Sequence, residues 1–83
     1  MKKIVIWTFR TCPFCVKAKA LLDRLNVEYE EVRIPFGDKR LDELALKTGC
    51  TTLPQIFVKD DYIGDCSKLF ELYEEGVLEN ILK

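Results

Sequence analysis

Apolar and polar positions follow two different periods along this chain, and the places where the period changes mark out its elements. Lys2 to Thr8, Lys-Lys-Ile-Val-Ile-Trp-Thr, is a short β-branched and aromatic run that predicts a first strand buried on both faces. From Pro13 to Leu25, the apolar residues Phe14, Ala18, Leu21, Leu22 and Leu25 recur at helical spacing, with Lys17, Lys19, Asp23 and Arg24 on the wet side. Pro13 suits the first helical turn, where its missing N–H has no helix partner, and Asn26 suits the left-handed position that ends the helix. Val27 to Ile34 mixes Val, Tyr and Ile with Glu and Arg, which predicts a second strand before the Pro35-Phe36-Gly37 break.

Asp38 is placed to cap a second helix with Leu41, Leu44, Ala45 and Thr48 on its apolar face and Gly49 just past its end. Gln55 to Val58 and Tyr62-Ile63 flank the polar Lys59-Asp60-Asp61 as the two strands of a hairpin, antiparallel because the turn is tight. Ser67 or Asp65 then caps a third helix carrying Leu69, Phe70, Leu72 and Tyr73, with Gly76 as its stop and a short tail helix over Val77 to Leu82. The order βαβ, α, ββ, α predicts an α/β fold: a four-stranded mixed sheet with helices on both faces. No linker, repeat or low-complexity segment divides the chain, so residues 1–83 are read as a single domain.

Composition narrows the function. With 48% apolar and 33% charged residues the chain is an ordinary globular sequence. Its 13 basic and 14 acidic side chains give no field to attract a nucleic acid backbone. No apolar run is long enough for a membrane span, and the start lacks the pattern of a secretory signal, so a cytoplasmic protein is expected. Histidine is absent, which removes imidazole as metal ligand or general base.

The four cysteines are therefore read one by one rather than as the disulfide scaffold of an exported protein. Cys12 and Cys15, in Thr11-Cys12-Pro13-Phe14-Cys15, fall where the first strand gives way to the first helix. The first sulfur then faces the unpaired N–H groups and positive end of the helix, an environment that favours the nucleophilic thiolate. Cys15, one turn on, is close enough to attack a mixed disulfide at Cys12 and leave a Cys12–Cys15 bridge. The same spacing supplies half of many zinc sites, but Cys50 and Cys66 do not form a second such pair, and no metal site is expected.

Cys12-Pro13-Phe14-Cys15 after the first strand, Thr51-Thr52-Leu53-Pro54-Gln55-Ile56-Phe57 before the third, and Tyr62-Ile63-Gly64 in the fourth together resemble a glutaredoxin over essentially the whole chain. The resemblance implies the thioredoxin fold, a cis Pro54, and reduction of protein disulfides and glutathione mixed disulfides. Glutathione is then a co-substrate rather than a permanently bound cofactor, and the expected partners are glutathione and disulfide-containing or glutathionylated proteins, met by a monomer. Thr52, Leu53 and Pro54 become a binding ledge whose Leu53 backbone pairs with an extended substrate. By similarity, the γ-glutamyl end of glutathione takes donors from Cys66 and Ser67 at the start of the third helix, while Phe14, Arg10 and Lys47 frame the glycyl end. Pro13, Gly64 and Asp65 belong to the same implied surface.

Several positions depart from the family pattern. Phe14 stands where a Tyr is common, and Phe9 with Arg10 beside it where a Lys is often found. Gly64-Asp65-Cys66-Ser67-Lys68 replaces the usual Gly-Gly-x-Asp-Asp. These changes leave open a redoxin recycled by thioredoxin reductase, and an iron–sulfur carrier in which Cys12 of two subunits and two glutathiones bridge one cluster. Cys50 and Cys66 are read as space-filling or half-exposed thiols, with Cys66 near a helix start open to a reactive role, and Trp7, Phe57 and Phe70 as core.

Overall fold

The computed structural model describes residues 3–10, 12–35, 37–49 and 52–82. Lys2, Thr11, Phe36, Cys50 and Thr51, which figure in the sequence reading, lie outside the described residues. Eight elements follow in the expected order: β1 (Ile4–Phe9), α1 (Pro13–Arg24), β2 (Glu30–Ile34), α2 (Lys39–Thr48), β3 (Gln55–Val58), β4 (Asp61–Gly64), α3 (Cys66–Glu74) and α4 (Leu78–Leu82).

The strands lie side by side in the order β2-β1-β3-β4. The α1 crossover makes β2 parallel to β1, in the register Val5↔Glu30 to Phe9↔Ile34. β3 runs antiparallel to both β1 and β4, so the sheet is mixed as expected. The β3–β4 turn is only Lys59-Asp60, both with positive φ, and Asp61 joins the strand instead of the loop predicted for it.

Strand alternation sends side chains to two cores. Ile4 and Ile6 of β1 and Ile56 and Val58 of β3 pack with Ala18, Leu21 and Leu22 of α1, Leu69 of α3, and Leu78 and Leu82 of α4. On the other face Val5, Trp7 and Phe9 join Ile34, Leu41, Leu44 and Phe57 beneath α2. Each fully buried Leu or Ile contributes about 1.5–3 kcal/mol. The expectation that β1 is buried on both faces needs correction. Its burial alternates, with Ile4, Ile6 and Thr8 closed off and Val5, Trp7 and Phe9 partly open, because α2 and only the Cys15 end of α1 pack into the second cluster, while α1, α3 and α4 pack into the first.

Local signals set the helix ends. Asn26 takes a φ of 57°, and the N–H groups of Asn26 and Val27 reach back to the Asp23 and Leu22 carbonyls at 3.1 and 3.3 Å. Val27 is thereby buried as the hydrophobic partner of the helix end, and β2 starts three residues later than its β-rich composition suggested. Asp38 caps α2 and Gly49 ends it with a φ of 76°, both as read from the sequence.

Candidate active site

Everything around the cysteines follows from how α1 begins. Cys12 is the N-cap residue, in extended backbone geometry, with Pro13 in the first turn. Its Sγ accepts the Cys15 backbone N–H at 3.3 Å, a donor with no partner inside the helix. In its thiol form Cys12 donates to the Leu53 carbonyl at 3.6 Å. Leu53 lies across the groove, and the Leu53–Pro54 bond that leads into β3 is cis, as the resemblance implied.

The two sulfurs occupy different environments. Cys12 is half-buried, whereas Cys15 is 1% exposed and sits in the core beneath α2. Burial, and then the hydrogen bond with Cys12, pushes the Cys15 thiol up to about 12, while a Phe9 backbone hydrogen bond and the charge of Lys19 act the other way. Cys15 is therefore protonated at neutral pH. Cys66, at the start of α3, is also buried, and burial raises its pKa, in keeping with a space-filling thiol. Cys50 lies outside the described residues, as does Thr11.

A groove of about 420 Å³ opens beside Cys12, lined by Phe9, Phe14, Thr52, Leu53, Pro54, Asp65, Cys66 and Ser67. Asp65 is the N-cap of α3, its carboxylate accepting the Lys68 N–H at 3.0 Å. That leaves the N–H groups of Cys66 and Ser67, the first two helical residues, without intrahelical partners at the groove wall. Phe14 is 57% exposed, with the Lys17 ammonium 5.7 Å from its ring centroid.

Not every residue singled out in the sequence meets here. Arg10 is exposed on the turn after β1, and Lys47 lies on α2 with its ammonium 5.3 Å from the Phe57 ring; neither lines the groove. Pro13 is exposed outside the lining, and Gly64 is buried behind it, with a φ of 151°. Two contributors escaped the sequence reading. Phe9 lines the groove, and its alternation with Val5 and Trp7 was the available signal. Gln55, fully buried, accepts the Thr48 hydroxyl at 3.2 Å and donates to the Thr52 carbonyl at 3.1 Å, tying the ledge to α2. A polar residue opening an apolar strand was its signal.

Among the described residues, no three His, Cys, Asp or Glu side chains converge to hold a metal, and no helix is long and apolar enough to cross a membrane. Comparison with known proteins places the geometry in context. The family profile described as Glutaredoxin matches residues 4–63. Glutaredoxin 1 of Rickettsia felis is 43% identical over 82 residues, covering 96% of this chain and 80% of its own. Glutaredoxin 3 of Escherichia coli strain K12 is 39% identical over the whole of both chains. The crystal structure of a buckwheat glutaredoxin–glutathione complex superposes with a TM-score of 0.90 at 27% identity, covering 98% of this chain and 76% of that one. The solution structure of glutaredoxin from Brucella melitensis gives 0.88 at 36% identity, covering 100% and 90%.

Proposed function

The chain belongs to the glutaredoxin family, and from that premise we propose that its glutathione-dependent thiol–disulfide exchange runs through Cys12 as the attacking sulfur and Cys15 as the resolving one. The observation that carries the assignment is the asymmetry of the pair. Cys12 is reachable and holds an N–H donor at 3.3 Å, whereas Cys15 is buried and kept protonated. A Cys12 thiolate attacks one sulfur of a substrate disulfide, forming a mixed disulfide and releasing the other half as a thiolate that takes up a proton. The Cys15 N–H stabilises the charge on Cys12 before attack and when it departs again. Losing its hydrogen, Cys12 no longer donates to the Leu53 carbonyl, which frees that acceptor for the substrate backbone.

Two routes complete the turnover. A mixed disulfide with glutathione is attacked by a second glutathione, giving oxidised glutathione and regenerating Cys12. A mixed disulfide with a protein is attacked by Cys15, and two glutathiones then reduce the Cys12–Cys15 bridge. Glutathione lies in the groove with one carboxylate at the Cys66 and Ser67 N–H groups beside Asp65, its backbone along Thr52, Leu53 and Pro54, and Phe14 toward its glycyl end, while Pro13 and Gly64 support this surface from outside the lining. Arg10 and Lys47 act at longer range on the glycyl carboxylate. Thiol–disulfide exchange with glutathione as co-substrate calls for no resident cofactor, and the protein is read as acting as a monomer. A dithiol recycled by glutathione suits the cytoplasm, and oxidised proteins there are its substrates.

The test is turnover of a small glutathione mixed disulfide with reduced glutathione and glutathione reductase. Cys12→Ser should abolish it and Cys15→Ser should retain it, since the glutathione route bypasses Cys15. Equal loss in both variants would overturn the division of labour. No turnover by the unaltered protein would move the search to thioredoxin reductase and protein disulfides.

A further inference from the structure

Beneath the two cysteines lies a polar cluster that the exchange scheme leaves unused. Oε2 of Glu31, on β2, accepts from the Thr8 hydroxyl at 2.7 Å, the Lys19 ammonium at 3.1 Å and the Arg33 guanidinium at 3.4 Å. Thr8 is completely buried, and the Lys19 and Glu31 side chains are only 23% and 24% exposed. Fixing a lysine side chain costs rotamer freedom. The plain explanation is a strut that ties α1 to the sheet. The placement of the cluster argues for more. Lys19 follows Cys15 by one helical turn on the same face of α1, and Thr8 adjoins Phe9, whose backbone hydrogen-bonds Cys15.

We propose that Lys19, pinned by Glu31 and Thr8, is a positioning residue for the resolving step, its ammonium stabilising the Cys15 sulfur as that sulfur becomes anionic. The inference rests on the reading of Cys15 as the resolving cysteine. In that step Cys15 loses its proton to water and its thiolate attacks Cys12 Sγ of the mixed disulfide. The Cys15–Cys12 bond forms, the bond from Cys12 to the substrate sulfur breaks, and the substrate leaves as a thiolate that is then protonated. The cysteine pair is oxidised and the substrate reduced.

Burial and Cys12 oppose ionisation of Cys15, whereas Lys19 is the cation whose field favours it. The groups facing Cys15 are Cys12 at the N-cap, the Phe9 backbone of β1 and Lys19 of α1. Those facing the Lys19–Glu31 pair are Thr8, Arg33 and Tyr29, the last also coupled to Asp23. The Glu31 carboxyl is held below its usual range, first by the Thr8 hydroxyl and then by Lys19, so the pin stays charged through neutral pH. Glu31 thus keeps its hold on the Lys19 ammonium at 3.1 Å.

The decisive experiment follows single turnover of an aromatic nitrobenzoate disulfide, supplied below one equivalent, whose coloured thiol is released once by Cys12 and again by Cys15. Lys19→Gln keeps a hydrogen-bond donor for Glu31 but removes the charge, and Lys19→Arg keeps the charge. Each tenfold loss of Cys15 thiolate is partly offset by greater nucleophilicity, so the second release in Lys19→Gln should slow by about 3- to 10-fold at neutral pH. Its pH profile should move upward while the first release stays within about twofold, and Lys19→Arg should restore both. In a Cys15→Ser background, Lys19→Gln should change nothing further. An unchanged second release in Lys19→Gln, or equal slowing of both releases, would overturn the proposal and leave a strut. Absence of a second release in the unaltered protein would instead overturn the reading of Cys15 itself.

Discussion

High pH should unfold the reduced protein through Cys15. The thiol is 1% exposed, and burial followed by the Cys12 hydrogen bond raises its pKa from 9.0 to about 12. Below pH 9 the folded and unfolded states both keep the proton, and the contribution of Cys15 is fully present. Above pH 9 the unfolded chain sheds the proton first. Stability then falls by about 1.4 kcal/mol per pH unit until the folded thiol itself titrates near 12, a ceiling of roughly 4 kcal/mol. At pH 10.5 the expected loss is about 2 kcal/mol, a large fraction of what an ordinary small domain has to lose.

The assay is denaturant unfolding at pH 7.5 and 10.5 under a phosphine reductant, comparing the unaltered protein with Cys15→Ser, whose hydroxyl does not titrate in this range. Lysines, tyrosines and the other cysteines titrate in both proteins and largely cancel in the difference. The unaltered protein should lose about 2 kcal/mol more than Cys15→Ser between the two pH values. Parallel losses within about 0.5 kcal/mol would refute the argument that burial holds Cys15 protonated, and with it the physical basis for separating the two sulfurs.

Three further outcomes follow from single positions. Gly64→Ala places a Cβ 2.5 Å from Lys68 Cβ and 2.6 Å from its Cγ at a φ of 151°, so the thermal midpoint should fall by roughly 5–15 °C. Gln55→Leu leaves the Thr48 hydroxyl and Thr52 carbonyl without their Gln55 partner; it should cost about 1–3 kcal/mol in denaturant unfolding and raise KM for a glutathione mixed disulfide more than it lowers kcat. Replacing Lys59-Asp60 with Asn-Gly, which tolerates their positive φ values of 51° and 69°, should stabilise the hairpin by about 0.5–1 kcal/mol, read as a higher urea midpoint.

What the sequence revealed was largely local. Pro13, Asn26, Asp38, Gly49 and Gly76 act within their own turns, and each stands where its chemistry suggested. The Cys-Pro-Phe-Cys step from strand to helix was legible for the same reason. Val27 misled because a β-branched residue also serves as the hydrophobic partner of a helix end, and that role shortened β2. Lys59-Asp60 hid a two-residue turn because Lys is not a usual carrier of positive φ and no glycine follows it. Arg10 and Lys47 were placed at the glycyl end by resemblance alone; Arg10 stands on the turn after β1 and Lys47 on α2 over Phe57, positions that no local pattern relates to the groove. The Glu31 cluster needed the parallel register of β2 against β1, which no local pattern encodes.

That register explains why one strand end can serve both sulfurs. Successive side chains of β1 point to opposite faces, so Phe9 borders the groove with Phe14 and Leu53 while Thr8 turns into the sheet to meet Glu31. Along α1, Cys12, Cys15 and Lys19 are spaced by three and four residues and form one stripe descending from the half-exposed cap, through the buried thiol, to the anchored ammonium. A one-residue slip in β1 would exchange Thr8 and Phe9, closing the groove side with a hydroxyl and leaving Glu31 without its shortest hydrogen bond. Burial decides which sulfur meets the substrate first. The parity of a single strand decides whether the second has a charge beneath it when its turn comes.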